Sequence, residues 1–344
     1  MEKNLNIKNK NKIIIIAEAG VNHNGIKKNI KKLIDLAANA KADYVKFQSF
    51  KADNLVTKNA KKAPYQKKLT AKNENQYQML KKLEISKNDH KYIINYCKEK
   101  KINYLFTPFD YESLNILVEY GVKELKISSS DLNNFPFLEK IAKLNKIIFL
   151  STGMSDIKII KKALKILTTN GTSKKNIYLL HCNTDYPTNY TDVNLRAMLT
   201  MRNKFKIKVG YSDHTLGIEV PIAAATLGAS VIEKHFTLDN NLVGPDHKAS
   251  LNPKELFQMI NSIRNIEKSL GDGIKKITKS EKKNIFAAKK SIYANQKINK
   301  GDLFTNDNLI IKRPGNGISP TQWFKIIGKK SKKKFNFNDL ITLK

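Results

Sequence analysis

The stretch IIIIAEAGVNHNG, residues 13–25, sets the reading of the whole chain. Ile13–Glu18 (IIIIAE) is an apolar run of strand length that ends in a carboxylate, followed by a small, polar loop. Seven more short runs follow along the chain. They are Tyr44–Gln48 (YVKFQ), Asn103–Thr107 (NYLFT), Leu125–Ser129 (LKISS), Ile147–Thr152 (IIFLST), Ile177–His181 (IYLLH), Lys206–Tyr211 (KIKVGY) and Val231–His235 (VIEKH). Segments such as Lys27–Ala40, Asn88–Lys98, Tyr111–Tyr120, Asp156–Thr168 and Val220–Leu227 lie between them, with apolar residues at helical spacing. Strands alternating with helices predict βαβ units and a parallel sheet. Eight such units in roughly 235 residues is the size of a closed (β/α)₈ TIM barrel. A doubly wound open sheet is the alternative, but no G-x-G-x-x-G follows the first run to support it.

Beyond Leu270 the texture changes. Gly271-Asp272-Gly273 and the lysine-rich stretch after it read as a linker, 271–284, which leaves a barrel domain over 1–270 and a small domain over 285–344. The small domain has strand-like pieces at Ser291–Ala294 and Asn308–Ile311, and turns at Lys300-Gly301-Asp302 and Pro314-Gly315-Asn316-Gly317.

The 344 residues are 41% hydrophobic and 27% charged, a globular composition. Lys+Arg 63 against Asp+Glu 30 leaves a formal charge of +33. The arginines are only Arg196, Arg202, Arg264 and Arg313, and they are scattered. Readers of nucleic acid cluster Lys and Arg and rely on the arginine fork, so nucleic acid is not an expected partner. The charge still draws in small anions. Cys97 and Cys182 are too few for a disulfide framework and match no zinc spacing, which predicts a reducing, cytoplasmic setting. The Ile13–Ala17 run, stopped by Glu18, is too short for a signal-peptide core or a membrane span, so no membrane partner is expected.

In a (β/α)₈ barrel, chemistry sits at the C-terminal ends of the strands. Here every strand end is polar. Glu18 ends the first, Lys46 and Gln48 lie on the second, Thr107 ends the third, and Lys126, Ser129 and Asp131 belong to the fourth. Ser151-Thr152-Gly153 ends the fifth, His181–Tyr186 follows the sixth, Ser212-Asp213-His214 the seventh, and Glu233-Lys234-His235 the eighth. Each alone has a bland reading as a turn, a helix cap or a hydrogen-bonded histidine. Together they read as a site. His214 and His235 end adjacent strands, so two imidazoles can converge on one divalent ion and leave positions open for a substrate oxygen. Lys46, Lys126, Ser129 and Ser151 lie across the mouth, where they can hold a phosphate or carboxylate.

These residues also form familiar motifs. Ala17–Gly25 (AEAGVNHNG), Val45–Gln48, Ser151–Met154, His181-Cys182 with Tyr186-Pro187, Ser212–Thr215, Glu233–Phe236, Gly244–Asp246 and Lys312–Gly317 resemble the sialic acid synthase family, in the family's order, from about residue 13 to the end. The resemblance implies a (β/α)₈ barrel followed by an antifreeze-like SAF domain. It also implies a carbon–carbon bond-forming transferase that condenses phosphoenolpyruvate with an N-acetylated mannosamine-type sugar to a nine-carbon sugar acid and phosphate. By position, Lys46, Lys126, Ser129, Ser151, Ser212 and Lys290 look like the phosphoenolpyruvate set. His214 and His235 look like the ligands of Mn²⁺ or Mg²⁺, Glu18 and Asp131 like catalytic carboxylates, and Gln48, Tyr186 and Asp246, with Glu18, like the groups around the amino sugar. Family members are domain-swapped homodimers, and Arg313 resembles the arginine that reaches the partner's site.

Two departures stand out: Ser128-Ser129-Ser130-Asp131 where the family often has Gly-Ser-Gly-Glu, and Thr184 where some members have Asn. The family's products include N-acetylneuraminate from N-acetylmannosamine and legionaminate from a 2,4-diacetamido-2,4,6-trideoxymannose. Pseudaminate ranks last, because Gly244–His247 (GPDH) and Arg313–Gly317 (RPGNG) are both present. The rival expectations are a Schiff-base pyruvate aldolase using Lys46 or Lys126, and a non-catalytic polyanion binder.

Overall fold

A computed structural model describes residues 12–344. Eight parallel strands form one sheet: β1 Ile14–Gly20, β2 Tyr44–Ser49, β3 Asn103–Pro108, β4 Glu124–Ile127, β5 Ile147–Ser151, β6 Ile177–His181, β7 Lys208–Asp213 and β8 Val231–His235. Their order is β3-β2-β1-β8-β7-β6-β5-β4, so β1 pairs with β8, and β3 packs beside β4 to bring the ring round on itself. This is the TIM barrel. Among the described residues, no helix is long and apolar enough to cross a membrane.

The period of two along each strand divides the barrel cleanly. Ile15, Ala17, Val45, Phe47, Leu125, Ile127, Leu150, Leu179, Val209 and Ile232 face outward into the main core beneath the helices. Ile16, Tyr44, Leu105, Phe149, Tyr178, Leu180 and Val231 face inward and fill the lower lumen. Each such side chain contributes about 1.5–3 kcal/mol on burial. That apolar floor offsets the burial of charged groups in the layer above, which costs several kcal/mol per ion.

Helix signals are conventional where the helices are long. Asp110, Asp156, Ser86 and Asn252 cap the helices Tyr111–Glu119, Ile157–Thr169, Lys87–Glu99 and Pro253–Ser269 with side-chain oxygens. Between β2 and the helix Lys87–Glu99 the chain makes an excursion of three short helices, Ala52–Leu55, Pro64–Leu69 and Gln76–Lys81. β7 begins two residues later than its apolar run suggests, because Lys206 takes a left-handed conformation that ends the helix Arg196–Phe205.

The chain divides into two compact units at Gly271/Asp272. The second unit is built on the antiparallel pair β9 Ser291–Ala294 and β10 Leu309–Lys312, over a core of Ile292, Phe304, Leu309, Ile326, Phe335 and Ile341. The stretch read as a linker contains the start of a helix, Lys279–Ala288, which Thr278 and Glu281 cap reciprocally.

Candidate active site

Above the apolar floor the inward positions turn ionic. Lys46 Nζ lies 2.8 Å from Glu18 Oε1, donates to Thr107 Oγ1 at 2.9 Å and stands 3.9 Å from Glu233 Oε1. Lys126 Nζ donates to Ser151 Oγ at 2.6 Å and stands 3.7 Å from the same Glu233 oxygen, which accepts from Ser212 Oγ at 2.9 Å. Glu233 therefore sits between two ammonium groups contributed by different strands. Glu18, Lys46, Lys126 and Glu233 are 1–4% exposed.

At that depth, desolvation and neighbouring charge compete. Burial alone would lower the pKa of Lys46, but Glu18 and Glu233 outweigh it and raise the value. For Lys126 burial prevails, and its pKa is lowered despite Glu233. Burial pushes Glu233 up, yet Lys126, Lys46 and the Ser212 hydroxyl bring it below the usual glutamate value. Glu18 is raised by burial and by the charge on Glu233, against the pull of Lys46. Glu18 Oε2 and Glu233 Oε2 are buried without a hydrogen-bond partner. A site with an ammonium pair and spare buried acceptors is organised to receive a multiply charged ligand and its water.

The opposite side of the mouth is aromatic. The His214 and His235 rings lie 5.5 Å apart between centroids, Tyr186 packs 4.1 Å from His214, and Tyr65 stacks on Tyr186 at 5.1 Å. His214 Nδ1 hydrogen-bonds the Asn183 carbonyl, which places the proton on Nδ1 and leaves the Nε2 lone pair free. Burial lowers His214 to about 4 and takes His235 well below the usual histidine value, with the His214 charge adding to the shift. Both rings are neutral at physiological pH, the form that ligates metal. His235 Nδ1 is buried with no hydrogen-bond partner, 3.9 Å from Asp246 Oδ2. Asp246 itself is pushed up to about 7 by burial and by Glu18. Two neutral imidazoles, one with an unpartnered buried nitrogen, are donors of the kind a divalent ion takes, although among the described residues no group of three or more His, Cys, Asp or Glu side chains is placed to hold one. Two imidazoles are fewer donors than a closed structural centre needs. The approach of these groups depends on Gly20: a Cβ there would sit 3.2 Å from Glu18 Oε1 and 3.3 Å from His235 Cε1, and its φ of +52° favours glycine.

A cavity of about 480 Å³ joins the two halves, a volume suited to small-molecule ligands. Ten of the residues singled out from sequence line it: Glu18, Lys46, Gln48, Lys126, Ser129, Ser151, Tyr186, Ser212, His214 and His235. Asp246 lies behind His235. Asp131 is not part of the lining; it is buried in the turn Ser129–Asp131, where it accepts from Asn134 Nδ2 at 3.1 Å, and burial raises its pKa. Lys290 and Arg313 belong to the second unit, both outside its core, and Arg313 Nε donates to the Ala288 carbonyl at 3.1 Å.

Sequence reasoning did not assign Glu233, Thr107, Cys182, Tyr65, Gln66 or Gln76, all of which line the cavity. Glu233 and Thr107 had a signal. They share the inward parity of His235 and Leu105 on their own strands. Tyr65, Gln66 and Gln76 had none, because they reach the mouth from the excursion and not from a strand end.

Residues 33–275 match the NeuB family and residues 289–344 match the SAF domain. The chain is 53% identical over 330 residues, 96% of its length and 99% of the relative's, to the N,N'-diacetyllegionaminic acid synthase of Campylobacter jejuni subsp. jejuni serotype O:2. It is 43% identical to the enzyme of the same name from Legionella pneumophila, over 91% of this chain and 89% of that one. The crystal structure of N-acetylneuraminic acid (sialic acid) synthetase from Leptospira borgpetersenii serovar Hardjo-bovis, in complex with citrate, superposes with a TM-score of 0.70 at 36% identity. That superposition covers 80% of this chain and 90% of the other. A family match that runs through seven of the eight barrel strands, with an SAF match after it, makes this chain a member of the NeuB family, the sialic acid synthases.

Proposed function

We propose that the enzyme condenses phosphoenolpyruvate with 2,4-diacetamido-2,4,6-trideoxymannose and water, giving N,N'-diacetyllegionaminate and phosphate. The observation that carries the chemistry is one cavity with a buried ammonium pair, Lys46 and Lys126, facing two neutral imidazoles, His214 and His235. The choice of sugar is supported by relatives at 53% and 43% identity that are N,N'-diacetyllegionaminic acid synthases. N-Acetylmannosamine, giving N-acetylneuraminate, is the second reading, supported by the sialic acid synthetase structure.

Lys46, Lys126, Ser151 and Ser212, with Ser129 beside them, take the phosphate and carboxylate of phosphoenolpyruvate. The ligand replaces Glu18 and Glu233 as their anionic partner. His214 and His235 would hold Mn²⁺ or Mg²⁺, which when bound would supply Lewis acidity toward the sugar's aldehyde oxygen. C3 of phosphoenolpyruvate attacks the aldehyde carbon, and charge appears on that oxygen as C2 becomes electron-poor. Asp246, near 7, is poised to give the oxygen a proton. Water adds to C2 on the side of Glu18, whose unpartnered Oε2 takes the proton. The tetrahedral carbon then expels phosphate by C–O cleavage.

The aldolase reading, through Lys46 or Lys126, is not favoured, because the relatives are synthases and Glu18 keeps Lys46 as an ammonium; polyanion binding leaves the mouth without a role. We also propose a homodimer in which the small unit of one chain supplies Lys290 and Arg313 to the partner's mouth. Two buried, unpaired cysteines support a cytoplasmic setting.

The test is phosphate release from phosphoenolpyruvate with each sugar, with Mn²⁺ and with EDTA. Metal-dependent release that is faster with the diacetamido sugar is expected. Faster turnover of N-acetylmannosamine would select the second reading. Metal-independent consumption of pyruvate, trapped by borohydride on Lys126, would replace both with the aldolase.

A further inference from the structure

Asp213 and Lys234 form a buried ion pair that none of the steps above uses. Their side chains are 0% exposed, with Nζ 2.5 Å from Oδ2. They are Cα partners in the β7–β8 ladder, and they are the last residues paired in it. The pair lies on the outer face of the wall, in the same parity as Tyr211 and Ile232 of the main core. By alternation, the next residue on each strand turns inward, and those residues are His214 and His235.

The pair also encloses the chain after β7. Lys234 Nζ donates to the Thr215 carbonyl at 2.6 Å, while Asp213 accepts from Thr215 N at 2.9 Å and from Thr215 Oγ1 at 3.1 Å. His214 is thus held between two residues bound to the same ammonium group, at a point where the strand ladder has ended. The Thr188 N–H on the His214 carbonyl, at 2.9 Å, is a further tie on that peptide. Stability alone is a weak account of the pair, since a buried ion pair is often matched or bettered by apolar side chains of similar volume.

We propose that Asp213 and Lys234 are positioning residues. They clamp the ends of β7 and β8 from the outer face and so set the spacing of the two imidazoles across the cavity. The proposal rests on reading His214 and His235 as a divalent-ion pair. It assigns the two motifs, Ser212-Asp213-His214-Thr215 and Glu233-Lys234-His235, a joint geometry in which the outward residue of each locks the inward one.

The experiment titrates the purified full-length protein with Mn²⁺ alone, reading free Mn²⁺ by electron paramagnetic resonance. Lys234→Met is expected to weaken Mn²⁺ binding by about ten- to a hundredfold, the scale of lost support behind a metal ligand. Its circular dichroism and its KM for phosphoenolpyruvate should stay unchanged, and kcat should recover as Mn²⁺ is raised. Should Lys234→Met not fold, Asp213→Asn with Lys234→Met decides, because it leaves no lone buried charge and keeps an acceptor for Thr215. A folded variant with wild-type Mn²⁺ affinity overturns the proposal, even if it melts earlier. If the wild-type protein itself binds no Mn²⁺, the reading of the histidines as ligands falls, and this inference falls with it.

Discussion

His214 shows how much one side chain can carry. Its Nδ1 is committed to a backbone carbonyl, its ring is packed by Tyr186, and burial keeps it neutral down to about pH 4. His214→Ala and His235→Ala should each lower turnover by at least about a hundredfold with the fold intact. Near-wild-type rates at limiting metal in either variant would remove the shared-ion reading. The pH dependence has a definite sign. A proton competes with metal for the ring, and the folded ring takes that proton near 4 where a free one takes it near 6.5. Mn²⁺ affinity should therefore hold as pH falls through 6.5 and decline only toward 4; a midpoint at 6.5 would refute the buried-neutral state. The same difference makes acid destabilising between those values, because there the unfolded chain binds the proton and the folded chain does not.

At the scale of elements, the strands were legible and the excursion was not. Ile13–Glu18, Tyr44–Gln48 and Val231–His235 announce themselves because a parallel barrel buries both faces of each strand, which demands continuous apolar runs. The polar residues that interrupt those runs were legible for the same reason: Glu18, Lys46 and His235 stand out against apolar neighbours. Pro64–Leu69 and Gln76–Lys81 are too short to show a helical period, so Tyr65 and the glutamines beside it had no pattern to report them. Asp131 is a motif position whose side chain accepts from a local asparagine rather than lining the cavity. One strand position tests the packed-lumen description. Gly210 on β7 faces inward, and a Cβ there would lie 2.3 Å from the Val231 carbonyl oxygen and 2.9 Å from Leu180 Cδ2. Gly210→Ala should cost about 1–3 kcal/mol in chemical denaturation, as overpacking does. No loss would mean that the lumen can expand.

For the molecule as a whole, the composition and the site must be kept apart. A charge of +33 spread over the chain draws anions toward the protein, whereas the two cavity lysines, Lys46 and Lys126, are nearly buried and set apart from that surface charge. The proposed dimer has its own test. Arg313→Ala and Glu18→Ala should each be nearly inactive, yet mixing them should restore activity. Random exchange of equal amounts makes half the dimers mixed, each with one intact site of two, so about a quarter of wild-type activity is expected. No recovery despite demonstrated exchange would place Arg313 in its own chain's site or in none.

The lysine–carboxylate cluster has a consequence for the heat of binding. When a phosphate and a carboxylate enter the cavity, Asp246, already pushed up to about 7 by burial and by Glu18, holds its proton more tightly next to the new negative charge. Phosphoenolpyruvate should therefore arrive with protons drawn from the buffer, up to about half of one per site near pH 7. Calorimetric titrations in buffers of different ionisation enthalpy would give different heats, with a slope equal to that uptake. Equal heats would mean that the empty site already holds its full complement of protons.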